Sequence, residues 1–217
     1  MVEDNVRKIL KELPPEVKLV AVSKFHPCDE IMEAYKAGHK LFGENRPQEF
    51  ASKAVQLPQD IEWHFIGHLQ TNKLKLVLPY ASLVESIDSK RLLDAVEAWG
   101  AANSNVIDVL LELHLGAEET KGGFTESEIE EILSSHNSFP HVRFCGLMGM
   151  ATNTDDESVI EADFARIEAF KKRLDEMFHL PDFTELSIGM SHDWPLAVRH
   201  GATIVRIGTA IFGPREY

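Results

Sequence analysis

Cysteine is scarce in this 217-residue chain, which has only Cys28 and Cys145. Two thiols make no disulfide framework, so the fold must rest on a hydrophobic core. Cys145 lies in the apolar run VRFCGLMGM and reads as a small core residue. Basic charge is scarce too: 22 Lys and Arg stand against 35 Asp and Glu, a net charge of -13. That balance speaks against nucleic acid, whose binders carry basic stripes. It speaks equally against an anionic membrane surface. No apolar run approaches the roughly 20 residues that a membrane-spanning helix needs. The opening MVEDNVRKILKELPP reads as an amphipathic polar helix, not as a signal peptide with an apolar centre. The expectation is a reduced, cytoplasmic protein. Linkers, repeats and low-complexity tracts are missing, and so is the GxGxxG turn of an open dinucleotide-binding sheet.

What is present is alternation. Apolar, β-rich runs stand at 17–24, 40–44, 62–67, 83–87, 106–115, 142–150, 184–190 and 203–208. Helical patterns lie between them at 29–38, 47–57, 71–79, 89–102, 126–137, 156–178 and 194–200. Local signals support several boundaries. DSKRLLDAVEAWG offers Asp88 as N-cap and Gly100 as stop, and TESEIEEIL offers Thr125 with Glu128 as a capping box. Parallel neighbours need helical crossovers, and eight strand–helix units favour a closed barrel. The expected fold is α/β, a single (β/α)₈ TIM-type barrel spanning 1–217 with an extra N-terminal helix and no second domain.

In such barrels the chemistry gathers at the C-terminal strand ends. Strand one ends on Lys24, in VAVSKFHP. Strand two delivers Glu44 and Asn45, and strand three His64, His68, Gln70 and Asn72. Strand five leads to Lys121, before two glycines. The last two ends are the most informative. SIGMSHD carries Ser187, Gly189 and Ser191 before a short helix, and RIGTAIFG carries Gly208 and Thr209. Glycine lets backbone N–H groups approach an anion, and hydroxyls add donors. Turn glycines and capping serines are common, but two such loops stand where barrels bind phosphate.

Arg206 sits inside strand eight between Val205 and Ile207, so burying it requires a partner. Glu85, Asp108 or a ligand would serve. Strands one and eight adjoin in a closed barrel, which lets Lys24 and Arg206 face one pocket. A lysine at a strand end is usually one whose stem lies along apolar surface with its head in water. Beside a phosphate site and an inward arginine it suggests a Schiff-base ligand instead. The amine must be neutral to attack an aldehyde, and burial and a nearby guanidinium both favour that form. Pyridoxal 5′-phosphate supplies both aldehyde and phosphate. An arginine at the pyridine nitrogen would keep it unprotonated, since guanidinium only donates.

The ordered blocks AVSKFHP, FGENRPQE, WHFIGHLQTNK, ETKGGF, GLMGMAT, LSIGMSHDW and VRIGTAIFG resemble the pyridoxal phosphate homeostasis proteins, the YggS/PROSC family, from about residue 17 to the end. The resemblance implies a (β/α)₈ barrel related to the N-terminal domain of alanine racemase. It implies covalent binding of pyridoxal 5′-phosphate, a role in vitamin B6 homeostasis and no established reaction. It makes Lys24 the Schiff-base lysine. It places Ser187, Met190 by its backbone, Ser191, Gly208 and Thr209 at the phosphate, Arg206 at the pyridine nitrogen and Asn45 along the ring. Lys121 looks like a second functional lysine. Phe25 and His68 depart from common family residues.

Other constellations read more plainly. His64 and His68 straddle a strand end and a glycine, so they share no helix face and no metal is expected. His64 reads as a satisfied interior histidine, Met148 as core that touches the cofactor at most, and Asp193 as an N-cap. A weak amino-acid racemase is the alternative. Racemisation needs an acid or base on each face of the α-carbon, and none of Tyr35, Tyr80 and Tyr217 falls at a predicted strand end. A Schiff-base aldolase is a third reading, but no lysine ends strand six. The expected state is a monomer. Client enzymes that use the cofactor are the implied partners, and the sequence leaves delivery and storage equally open.

Overall fold

The computed structural model describes residues 1–116 and 122–214. Its eight strands are β1 (Lys18–Val22), β2 (Leu41–Glu44), β3 (Glu62–Phe65), β4 (Leu83–Ile87), β5 (Ile107–Leu113), β6 (Val142–Gly149), β7 (Glu185–Ser187) and β8 (Ile204–Ile207). All adjacent pairs are parallel, and β1 closes on β8 with Val20 opposite Arg206. The expected (β/α)₈ barrel is therefore the fold observed. Alternation along each strand splits its residues between two cores. Val20, Val22, Leu83, Leu110, Met148 and Ile204 pack inside the barrel. Leu19, Ala21, Val205 and Ile207 pack outward against the helices. Each Val, Leu, Ile or Met among them contributes about 1.5–3 kcal/mol by leaving water.

The register slips once between β5 and β6. Gly146 sits at this irregularity with φ +151°, and a Cβ there would lie 1.9 Å from the Glu185 carbonyl oxygen. Only glycine fits so close to a neighbouring backbone.

The helices are α1 (Val2–Glu12), α2 (Cys28–Lys36), α3 (Pro47–Gln56), α4 (Leu74–Val77), α5 (Lys90–Asn103), α6 (Glu126–Ser134), α7 (Glu157–Phe178), α8 (Trp194–Arg199) and α9 (Thr209–Phe212). The extra N-terminal helix is α1; it buries Val2, Val6 and Ile9, and Asn5 donates to the Ile211 carbonyl of α9 at 2.8 Å. The capping box forms at Thr125 as expected. Three local expectations need correction. Ser89, not Asp88, caps α5, because the Asp88 carboxylate is taken by His68 Nδ1 at 2.6 Å. The helix also runs past Gly100 to Asn103 and ends at Ser104 in the left-handed region, φ 51°. Thr209, read as part of the loop after strand eight, opens the short helix α9. Among the described residues no helix is long and apolar enough to cross a membrane.

Candidate functional site

Three constructions meet at the C-terminal mouth of the barrel. The first aims Lys24. Strand β1 ends at Val22, and the chain turns through Ser23, half-buried Lys24 and Phe25. Phe25 takes φ +68°, unusual for a side chain of its size. Helix α3 holds this turn from one side. Glu49 accepts the Phe25 N–H at 2.7 Å, and the Lys53 ammonium donates to the Ser23 carbonyl at 2.8 Å. Lys53 also donates to Glu44 at 2.8 Å and Glu49 at 2.7 Å, while Ser23 Oγ donates to Glu44 at 2.6 Å. The peptide groups on both sides of Lys24 are thus tied to one buried cation and its two carboxylates. Burial pushes the Glu44 carboxyl up, against the pull of Lys53. Arg46 stacks over the Phe25 ring at 4.2 Å.

The second construction fixes Arg206. Its Nη1 donates to the Ser187 carbonyl at 2.8 Å and to Ser187 Oγ at 2.5 Å, and its Nη2 donates to the Gly149 carbonyl at 2.9 Å. Glu85 lies 3.6 Å from Nη1 and is the ion partner; Asp108 pairs with Arg143 instead. Glu85 is fully buried, accepting from Ser187 Oγ at 2.5 Å and meeting His64 Nδ1 at 2.6 Å. Burial alone would raise its carboxyl, but the His64 hydrogen bond and the charges of His64 and Arg206 outweigh it and hold the carboxyl low. These bonds use both terminal nitrogens of Arg206. His64 is the satisfied interior histidine read from the sequence. Ser187, expected among the phosphate donors, has its hydroxyl at 0% exposure and spent on Glu85 and Arg206. Its position is under the loop, where it orients the guanidinium.

The third joins the loops after β7 and β8. Gly208 N–H donates to Ser191 Oγ at 3.3 Å, and Arg206 N–H donates to the Gly189 carbonyl at 2.9 Å. Gly189 has φ +93°, and a Cβ there would press on Ala197 Cβ at 2.6 Å, so the loop needs glycine to lie flat on α8. Ser191, Gly208 and Thr209 are brought together as expected. Met190 and Asp193 differ from expectation. Asp193 occupies the N-cap position of α8 but caps no helix amide; its Oδ1 accepts the Met190 N–H at 2.5 Å. That amide was expected at the phosphate.

Asn45 follows β2 into the mouth, and its buried Oδ1 has no hydrogen-bond partner. Met148 is buried inside the barrel beside Ser187 in register. Lys121 lies outside the described residues. His68 is separated from His64, half-exposed or more at the rim, paired with Asp88. Reading strand ends from the sequence missed Lys53 and Glu49, which lie on a helix. The spacing Glu49–Lys53, one helical turn apart, was the available signal. It also missed Glu112, an inward position of β5.

The family model of the alanine racemase N-terminal domain matches residues 1–216. A pyridoxal phosphate homeostasis protein of Aquifex aeolicus is 40% identical over 201 residues, 92% of this chain and 88% of that protein. The human protein of the same name is 38% identical over 230 residues, covering 100% of this chain and 83% of its own length. The structure of PipY from Synechococcus elongatus with PLP bound superposes with a TM-score of 0.90 at 34% identity, over 98% of this chain and 100% of that one.

Proposed function

Because the chain belongs to the family of the alanine racemase N-terminal domain, and within it to the pyridoxal phosphate homeostasis proteins, we propose that it binds pyridoxal 5′-phosphate as a Schiff base on Lys24. On this reading 1–217 is one barrel domain, a monomer, acting in vitamin B6 homeostasis inside the cell and exchanging the cofactor with client enzymes. The observation that carries it is the convergence of Lys24 with two glycine loops and an inward arginine at one barrel mouth. The orphaned Oδ1 of Asn45 adds to it, since a buried acceptor without a partner invites a donor from a ligand. The neutral Lys24 nitrogen attacks the aldehyde carbon; the aldehyde oxygen leaves as water with both amine hydrogens, and the C=N bond remains. Ser191, Gly208 and Thr209 hold the phosphate. Met190 N–H joins them when Asp193 yields it. Arg206 Nε faces the pyridine nitrogen, Asn45 and Met148 line the ring, and His64 acts beneath it by steadying Glu85. Lys121 is proposed as a second lysine at the rim. The bound cofactor supplies an electron-withdrawing ring; an arginine at its nitrogen keeps that ring a weak electron sink and favours holding over turnover.

Visible absorption after addition of the cofactor tests this. The parent shows a yellow band that borohydride removes, leaving the label on Lys24, and Lys24→Ala shows none. Absence of the band in the parent overturns the assignment. Chiral analysis of alanine and serine incubated with the loaded protein reads the competing racemase outcome, which this function predicts to be negligible.

A further inference from the structure

One buried acid takes no part in the pocket as assigned above. Glu112 lies on β5 two residues beyond Leu110, which packs inside the barrel, so alternation turns it inward as well. It is only 7% exposed. Elsewhere the buried ionisable side chains are matched: Glu44 with Lys53, Glu85 with His64 and Arg206, Asp193 with the Met190 amide, His39 with the Leu41 carbonyl. Among the described residues the Glu112 side chain has no hydrogen bond and no ion pair; only its backbone carbonyl is engaged, accepting the Phe124 N–H at 2.7 Å. Glu112 lines a small pocket of about 10 Å³ with His114, Gly122 and Met150. A buried carboxylate with nothing to bind is costly, and such groups gather where a ligand uses them.

The register says what it faces. Glu112 lies beside Met148, Met148 beside Ser187, and Ser187 receives the Arg206 head. Glu112 therefore stands across β6 from Ser187, the residue that receives the guanidinium. The charged groups that act on it are Asp88 just past β4, His68 past the end of β3, His114 one residue past its own strand, and Arg206 from β8. Met148 of β6 and Met150 just past its end bring no charge. Burial and the neighbouring charge of Asp88 raise the Glu112 carboxyl to about 6, while Arg206, His68 and His114 pull it down.

We propose that Glu112 is a further ligand-binding residue of this pocket, whose protonated carboxyl donates a hydrogen bond to an acceptor on the heteroaromatic ring of pyridoxal 5′-phosphate. The inference rests on the cofactor reading above. With the ring nitrogen facing Arg206, the phenolic oxygen is the free acceptor, and a carboxylate cannot donate, so only the protonated form makes the bond. Neutral Glu112 also adds no charge beside an anionic ligand. Proton uptake at this residue then accompanies binding.

The probe is 4′-deoxypyridoxine 5′-phosphate, which keeps ring and phosphate but has no aldehyde for Lys24. Its dissociation constant is measured by calorimetry from pH 5.5 to 7.5 for the parent and Glu112→Gln. The glutamine amide still donates but does not titrate. The ratio of parent to variant constants cancels the ligand's own phosphate titration. It should lie near one at pH 5.5 and rise about 25-fold by pH 7.5, the loss expected when a carboxyl titrating near 6 must be reprotonated to bind. Asp88→Asn, which removes the charge that raises Glu112, should move the midpoint of the parent's profile to lower pH; this second variant decides the matter if Glu112→Gln does not fold. A ratio independent of pH, or an unmoved midpoint in Asp88→Asn, overturns the proposal. Failure of the analogue to bind the parent at every pH, together with loss of borohydride labelling of Lys24, overturns the cofactor reading instead. Labelling with a flat ratio leaves that reading standing and removes Glu112 from the pocket.

Discussion

The two sides of the barrel mouth are built on opposite rules. On the β1–β8 side every buried charge has a counter-charge, and only Glu44 Oε2 is left without a hydrogen bond. Lys53 meets Glu44, Glu49 and the Ser23 carbonyl, and Arg206 meets Ser187, Gly149 and Glu85. On the β3–β5 side Glu112 is buried without a partner, and the nearby pair His68–Asp88 stands at the rim with His68 71% exposed. Saturated polar clusters in a low-dielectric interior have one good arrangement and so fix the atoms attached to them. Unsaturated ones keep bonding capacity for something that arrives later. The first kind suits a lysine that must be aimed, and the second suits a surface that meets a ligand.

The largest effect that would break this contrast is removal of the central cation on the saturated side. Lys53→Met should cost about 3–5 kcal/mol in urea unfolding, because it leaves Glu44 and Glu49 without their shared partner in the interior. It should also slow borohydride labelling of Lys24, and Lys53→Arg should restore part of that rate. Next comes Gly146→Ala, which drives a methyl against the Glu185 carbonyl at a φ that side chains avoid. A loss of about 2–4 kcal/mol is expected in the same assay.

On the unsaturated side the sign reverses. Glu112 holds its proton more tightly folded, near 6, than at its ordinary 4.5. Such a group leaves stability undiminished below about pH 4.5 and lowers it as pH climbs through about 6. Glu112→Gln should therefore stabilise the ligand-free protein by about 1–2 kcal/mol at pH 7.5, with the gain vanishing below pH 4.5. Thermal melts across that range read it, and a gain that persists at pH 4 would sink the account. The smallest effect is at the rim: His68→Ala should change stability by less than about 1 kcal/mol, as exposed pairs do.

Much of this was legible in advance because strands and helices carry different periods. The eight apolar runs fell on the eight strands, and alternation placed Val20, Val22, Ile204 and Arg206 inward. Local chemistry was read less evenly. The capping box at Thr125 involves only residues three apart, so its outcome was set locally. Asp88 had the same local qualification to cap α5, yet its carboxylate went to His68, twenty positions away. A side chain with two possible partners chooses by distance in space, which spacing along the chain does not supply.

By itself, then, the sequence determined the barrel, the inward faces and the glycine-bearing ends of β7 and β8, because hydrophobic period and backbone permissiveness are properties of short segments. The tertiary structure alone decided which charges are matched. It put Lys53 of α3 under the turn of Lys24, turned Ser187 from an expected phosphate donor into the support of Arg206, gave the Met190 amide to Asp193, and left Glu112 with no mate. Matching a buried charge requires two groups from distant segments to meet within hydrogen-bond reach, and only closure of the barrel determines which of them do.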